Sequence, residues 1–257
     1  MDALLDYLQS NSLYNKYKLI QVLDTKITIT IKHILNMKWA EFNIIKLFEE
    51  YGYVSTEDDY LELINIRPYF LKYMDIDKIT YEICEIAVRK IGYVLEDVPE
   101  HFKTYKLCKA AVKNYGNALK YVPEHLITYK LCKIAVKNDE TTLEFVPDNL
   151  KTHKLCKIAV NKYGATLQFV PIHLMTYKIC KIAVSKYRAT LQFVPIHLMT
   201  YEICKIAIIK DKNAFRFIPE HLKTDKLREI AIIENKNVVR LIPEHLITDS
   251  LREIANR

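Results

Sequence analysis

The chain has 257 residues, half of them hydrophobic, and 38 basic against 31 acidic side chains give it a formal net charge of +7. That apolar content is enough for a sizeable core and excludes a disordered tail. Only 4 glycines occur, which points to dense helix packing with short turns, and no apolar run approaches the ~20 residues that span a bilayer.

Residues 1–55 come first. The opening Met1–Asp6 has no basic stretch leading into an apolar core, so no secretory signal is expected and the setting is read as cytoplasmic. Residues 2–9 and 13–23 are read as helical, and Thr25–Ile31 alternates as a strand does. Trp39–Tyr51 places Trp39, Phe42, Ile45 and Phe48 at helical spacing and stops at Gly52, which predicts an amphipathic helix. This mostly helical region is expected to cap the first face of the segment that begins at residue 56.

From residue 56 onward the chain repeats itself. Thr stands at 80, 104, 128, 152, 176, 200, 224 and 248, always 24 residues apart. With that Thr as position 0, Ala holds position 7 in every copy. Pro holds position 19 from Pro99 to Pro243, and Cys holds position 4 from Cys84 to Cys204, giving way to Arg228 and Arg252. Residues 56–79 are a worn copy, seven full copies run from 80 to 247, and 248–257 is a half copy whose Asp249, Arg252 and Glu253 suit a polar outer cap.

Each copy reads as two helices. The Thr hydroxyl is placed to cap the first helix, without the Glu or Gln of a capping box three residues on. Positions 3, 4, 7 and 8 form one apolar face and positions 2, 5 and 9 the opposite one. A second, shorter helix carries Ala118–Val122, with Leu119, Tyr121 and Val122 as core candidates, and ends before Pro123. Pro-Glu-His-Leu then makes one helical turn with Pro at its first position, and Leu126 is expected to plug the core. Twenty-four residues cannot bury this much apolar surface alone, so the copies must stack. The fold class is all-α, an α-solenoid.

The unit Thr-Tyr-x-Ile/Leu-Cys-x-x-Ala-Val followed by Leu-x-x-Val-Pro-x-His-Leu resembles the short tandem helical repeats of large DNA viruses that infect amoebae. Similar repeats occur in some bacteria living inside such hosts. The resemblance covers about residues 56–257 and implies a helical repeat fold of unknown function, with no catalytic or binding residues to carry over.

Six Cys and eight His raise the question of a metal. Zinc sites want ligands two to four residues apart, whereas these Cys lie a full repeat apart with no Cys-x-x-Cys or His-x-x-x-His. The Cys ladder is read as buried hydrophobe, neighbouring thiols as too far apart for disulfides, and the His column at 101, 125, 173, 197, 221 and 245 as packed in the turn and bonded to backbone. No nucleophile elbow, phosphate loop or dinucleotide fingerprint is present. Neither an enzymatic activity nor a cofactor is expected.

The basic surplus is the functional signal. Residues 1–55 are balanced and 56–103 carry −5, while 104–199 carry +10 and 200–257 carry +2. The candidates are Lys109, Lys133, Lys157, Lys181 and Lys205 at position 5, Lys106, Lys130, Lys154 and Lys178 at position 2, and Lys113 and Lys137 at position 9. Stacked, they form a ridge for an acidic protein partner or, as the second choice, for a nucleic-acid backbone, with the position 1 tyrosines beside it able to stack bases. A ridge that is merely solvated is the plain alternative.

Overall fold

A computed structural model describes residues 56–256; the helices and strand expected within 1–55 lie outside the described residues. Every element described is helical, and the architecture is an α-solenoid. The α-helices are α1 (Glu57–Ile66), α2 (Tyr81–Lys90), α3 (Tyr105–Asn114), α4 (Tyr129–Asn138), α5 (His153–Lys162), α6 (Tyr177–Lys186), α7 (Tyr201–Lys210), α8 (Asp225–Glu234) and α9 (Asp249–Asn256).

Each α-helix starts at its repeat threonine. Thr152 Oγ1 accepts from Leu155 N–H at 3.2 Å, and Thr80, Thr104, Thr128, Thr176, Thr200, Thr224 and Thr248 do the same for position 3 of their helices at 3.3–3.4 Å. Thr56 departs from the expected plain cap. Its hydroxyl accepts from Asp59 N–H while its own N–H donates to the Asp59 carboxylate at 2.9 Å, a capping box closed by Asp instead of Glu. The apolar face is buried as its spacing predicts: Leu131, Cys132, Ala135 and Val136 are all 0 % exposed.

The second helix of the repeat is a 3-10 helix. Gly92–Asp97, Gly116–Tyr121 and Gly164–Phe169 are six-residue examples, each followed by a single 3-10 turn such as Glu124–Leu126. The short repeat favours this geometry. A ten-residue α-helix is about 15 Å long, and few residues remain to travel back before the next one starts. Six residues of 3-10 helix advance about 12 Å, against about 9 Å for α-helix.

That winding moves the core positions. A 3-10 helix turns every three residues, so positions 12, 15 and 18 line up; Gly116, Leu119 and Val122 are buried and Tyr121 is only half-buried. Tyr121 is therefore not a core residue, because a 3.6-residue period does not apply to its segment. Pro123 serves as the N-cap of the last turn and not as its first residue. Leu126 and its counterparts Leu150, Leu174, Leu198, Leu222 and Leu246 are half-buried and do not plug the core. A single turn cannot carry its side chain deep enough.

Two forms of the junction between the two helices recur. In one, glycine lies flush beneath the next α-helix: a Cβ on Gly92 would stand 2.4 Å from Ala111 O, and one on Gly164 2.5 Å from Ala183 O. In the other, Asp or Asn at position 11 closes a local turn. Asp139, Asp211 and Asn235 accept from Thr141, Asn213 and Asn237 N–H at 2.9, 3.0 and 3.2 Å.

The chain divides into two compact units between Ile127 and Thr128. In the described part of the first, α1, α2 and α3 pack side by side and their 3-10 helices pack in a second row. The second unit builds the same two rows from α4 to α9.

Candidate interaction surface

The α-helix row presents positions 2, 5 and 9. Lysines at positions 2 and 9 are exposed, namely Lys106 and Lys113 in the first unit and Lys130, Lys137, Lys154, Lys178 and Lys226 in the second. Position 5 is half-buried at Lys109, Lys133, Lys157, Lys181 and Lys205, because its stem lies against the adjoining helix while its ammonium reaches solvent.

Two ion pairs define how neighbouring helices meet. Lys106 Nζ lies 3.1 Å from Glu85 Oε1, and Lys181 Nζ lies 3.6 Å from Glu202 Oε1. Each joins position 5 of one repeat to position 2 of the next. Hydrogen bonds from Arg89 and then Lys106 hold the Glu85 carboxyl below the usual carboxylate range. In the second unit the same two positions hold Lys133 and Lys154, and then Lys157 and Lys178, all of them cationic. Like charges at neighbouring positions repel, and an anionic partner relieves that repulsion.

An open groove of about 440 Å³ runs along this face of α6, lined by Tyr177, Lys178, Lys181, Ile182 and Ser185. Lys181 Nζ stands 5.8 Å from the Tyr177 ring centroid, close enough for a cation–π contact. The groove thus joins an apolar floor to two ammonium groups.

Part of the basic surplus has structural work instead. Lys162 Nζ donates to Lys137 O at 2.9 Å and Lys186 Nζ to Asn161 O at 2.6 Å, each reaching back to the last turn of the preceding helix. There the carbonyls lack intrahelical donors and the helix dipole favours a cation. Asn114 fills the same position in the first unit, donating to Arg89 O at 3.3 Å and accepting from Gly92 N–H at 2.8 Å. Position 10 was not among the expected functional positions; its signal was the recurrence of Lys or Asn at the helix end. Lys103, Lys151 and Lys223 are covered side chains, paired with Glu100, Asp148 and Glu220 at 2.7, 2.9 and 3.0 Å.

Two of the position 1 rings bridge repeats. Tyr81 Oη lies 3.4 Å from Thr104 Oγ1, and His153 Nε2 lies 3.4 Å from Thr176 Oγ1. The His column behaves differently from expectation. His101, His125, His173, His197, His221 and His245 are all exposed, and none of these rings bonds to backbone, because the single 3-10 turn that carries them points position 21 outward. Among the described residues no group of three His, Cys, Asp or Glu could hold a metal ion, and no helix is long and apolar enough to cross a membrane.

All six cysteines are buried free thiols. Burial pushes Cys84 up to about 12 and Cys108, Cys132, Cys156, Cys180 and Cys204 up to about 11. The thiol form is favoured in the folded chain, so this contribution to stability is complete below about pH 9, the free-thiol value, and is lost as pH rises through about 11. Ellman's reagent at pH 8 is therefore expected to label none of the six in the folded protein and all of them in urea. Labelling of the native chain at the unfolded rate would overturn the assignment of these thiols to the core.

Residues 80–127 and 104–151 are similar to a family described as a domain of unknown function (DUF4116). The two matches are offset by one repeat, so each spans two successive copies. No curated protein and no solved structure matches the chain.

Proposed function

We propose that the chain is a non-enzymatic helical-repeat scaffold that docks an acidic, amphipathic segment of a protein partner on its α-helix row. The observation that carries this reading is the α6 groove, in which Tyr177 and Ile182 share one face with Lys178 and Lys181. Such a groove fits an apolar side chain flanked by carboxylates. Lys130, Lys133, Lys137, Lys154, Lys157 and Lys205 extend the basic face in the second unit. Lys106, Lys109 and Lys113 supply a smaller one in the first. Stacked repeats commonly work by offering extended surfaces of this kind. Six unpaired thiols suit a reducing compartment such as the cytoplasm, and the resemblance to repeats of amoebal viruses supports a host-cell setting.

The test is fluorescence anisotropy with a Glu-rich peptide carrying spaced Leu and Phe, set against a single-stranded oligonucleotide of equal charge. Wild type is expected to bind the peptide more tightly. Combined Lys154→Glu, Lys157→Glu, Lys178→Glu and Lys181→Glu is expected to weaken it about a hundredfold by reversing the local potential. Ile182→Ser should weaken the peptide and leave the oligonucleotide unaffected. Tighter oligonucleotide binding with a steep salt dependence would instead make nucleic acid the ligand.

A further inference from the structure

The row of 3-10 helices carries a second cationic feature, at the far end of the second unit and on residues that the lysine face does not use. Position 16 is exposed in every full repeat, and along the chain it reads Glu96, Lys120, Glu144, Gln168, Gln192, Arg216 and Arg240. Only the last two full copies set one guanidinium after another.

The junction between the two helices of the first of these copies is also unusual. Lys212 occupies the position held by Gly92 and Gly164, but unlike Glu140 and Lys236 at the same position it does not begin a six-residue 3-10 helix. The backbone turns at Lys212–Asn213, with Asn213 at φ −99° and ψ −2°, and the 3-10 helix shortens to Ala214–Phe217. Beside this turn, between it and the 3-10 helix Lys236–Leu241, lies a cavity of about 310 Å³.

Three cations (Lys212, Arg216 and Arg240) and three carboxamides (Asn213, Asn235 and Asn237) line the cavity, and no carboxylate does. Asp211, the acid next to the turn in sequence, is engaged by Asn213 N–H at 3.0 Å. The walls are tied together: Asn235 Nδ2 donates to Lys212 O at 3.3 Å, and its Oδ1 accepts from Asn237 N–H. Arg216 is held as well. Its Nε donates to Asn213 O at 3.2 Å, and its guanidinium lies 5.3 Å from the Phe217 ring centroid. This leaves its two terminal nitrogens as donors. The remaining lining is apolar, with Phe215 and Val238 buried and Leu241 54 % exposed.

We propose that this cavity binds a phosphate anion, free or as the monoester of a small organic molecule whose body rests on Leu241. Guanidinium forks match phosphate oxygens two at a time, the carboxamides add neutral donors, and a dianion offsets the mutual repulsion of three cations. The volume lies at the lower end of the range for small-molecule sites.

The experiment titrates the full chain with inorganic phosphate, adenosine 5′-monophosphate and adenosine, followed by isothermal calorimetry. Both phosphates are expected to bind and adenosine is not. Tighter binding of the nucleotide than of inorganic phosphate assigns the site to a monoester, and equal binding assigns it to the free anion. Arg216→Gln with Arg240→Gln is expected to weaken both about thirtyfold or more, as loss of two charge-assisted donor pairs should. Lys72→Gln with Lys120→Gln removes the same net charge elsewhere and is expected to change neither. Circular dichroism checks that both double variants remain folded; the substituted side chains are exposed and outside the core. Absence of binding at millimolar phosphate, or equal losses in the two double variants, overturns the proposal.

Discussion

Cys180→Arg is expected to destabilise the chain by about 3–5 kcal/mol, the usual cost of a buried charge without its partner. The same exchange is already present two repeats later, where Arg228 occupies the ladder position and is 8 % exposed. It is tolerated there because Asp225 Oδ1 lies 2.7 Å from Nη1 and Glu220 Oε1 lies 3.5 Å from Nη2. Even so, Nε finds no partner. Around Cys180 the corresponding residues are Tyr177 and Ile172, so a guanidinium would meet no carboxylate. Adding Tyr177→Asp and Ile172→Glu is expected to restore more than half of the loss in urea unfolding. Cys180→Met separates the two causes, since it adds bulk without charge. If Met is as damaging as Arg, or the added acids restore nothing, volume and not charge governs the ladder.

Gly164→Val is expected to be the second most damaging change, at about 2–3 kcal/mol, the scale of forced overpacking. The Cβ alone would lie 2.5 Å from Ala183 O and 3.0 Å from Tyr187 Cβ. The first of these is backbone, which cannot rotate aside, so α6 must move away from the segment that begins at Gly164. The equivalent position holds Glu140, Lys212 and Lys236 where the preceding Asp or Asn closes a local turn. Thermal unfolding of Gly164→Val beside Gly164→Lys, with Tyr163→Asp added to the latter, checks this. The Asp–Lys version is expected to recover stability by adopting the second junction form, in which Asp211 precedes Lys212 and accepts from Asn213 N–H. A fully stable valine variant would show that the two helices are not in close contact.

The α-helix of the repeat was legible from its residues. Thr at position 0, apolar residues at 3, 4, 7 and 8, and Ala at 7 correspond to the observed caps and to the buried face of α2 through α8. The second helix was legible in place but not in kind. A 3.6-residue spacing picks out Leu119 and Val122 but also Tyr121, which stays half-buried because the chain winds there at three residues per turn. The lysine positions were legible as an outer face, yet their fates differ. Sequence spacing placed Lys109 and Lys181 on that face, but it did not show that position 5 meets position 2 of the next repeat. Nor did it reveal that Lys162 and Lys186 are spent on neighbouring carbonyls.

By itself, then, the sequence determined the repeat, its caps, its inward face and the reduced Cys ladder. Those properties depend on residues a few positions apart within one helix, where local geometry is invariant. Only the tertiary structure decided the winding of the second helix, the pairing of charges across repeats, and the cavity beside Lys212. These depend on the distance back to the next helix and on contacts between residues about a full repeat apart, which a linear pattern does not encode.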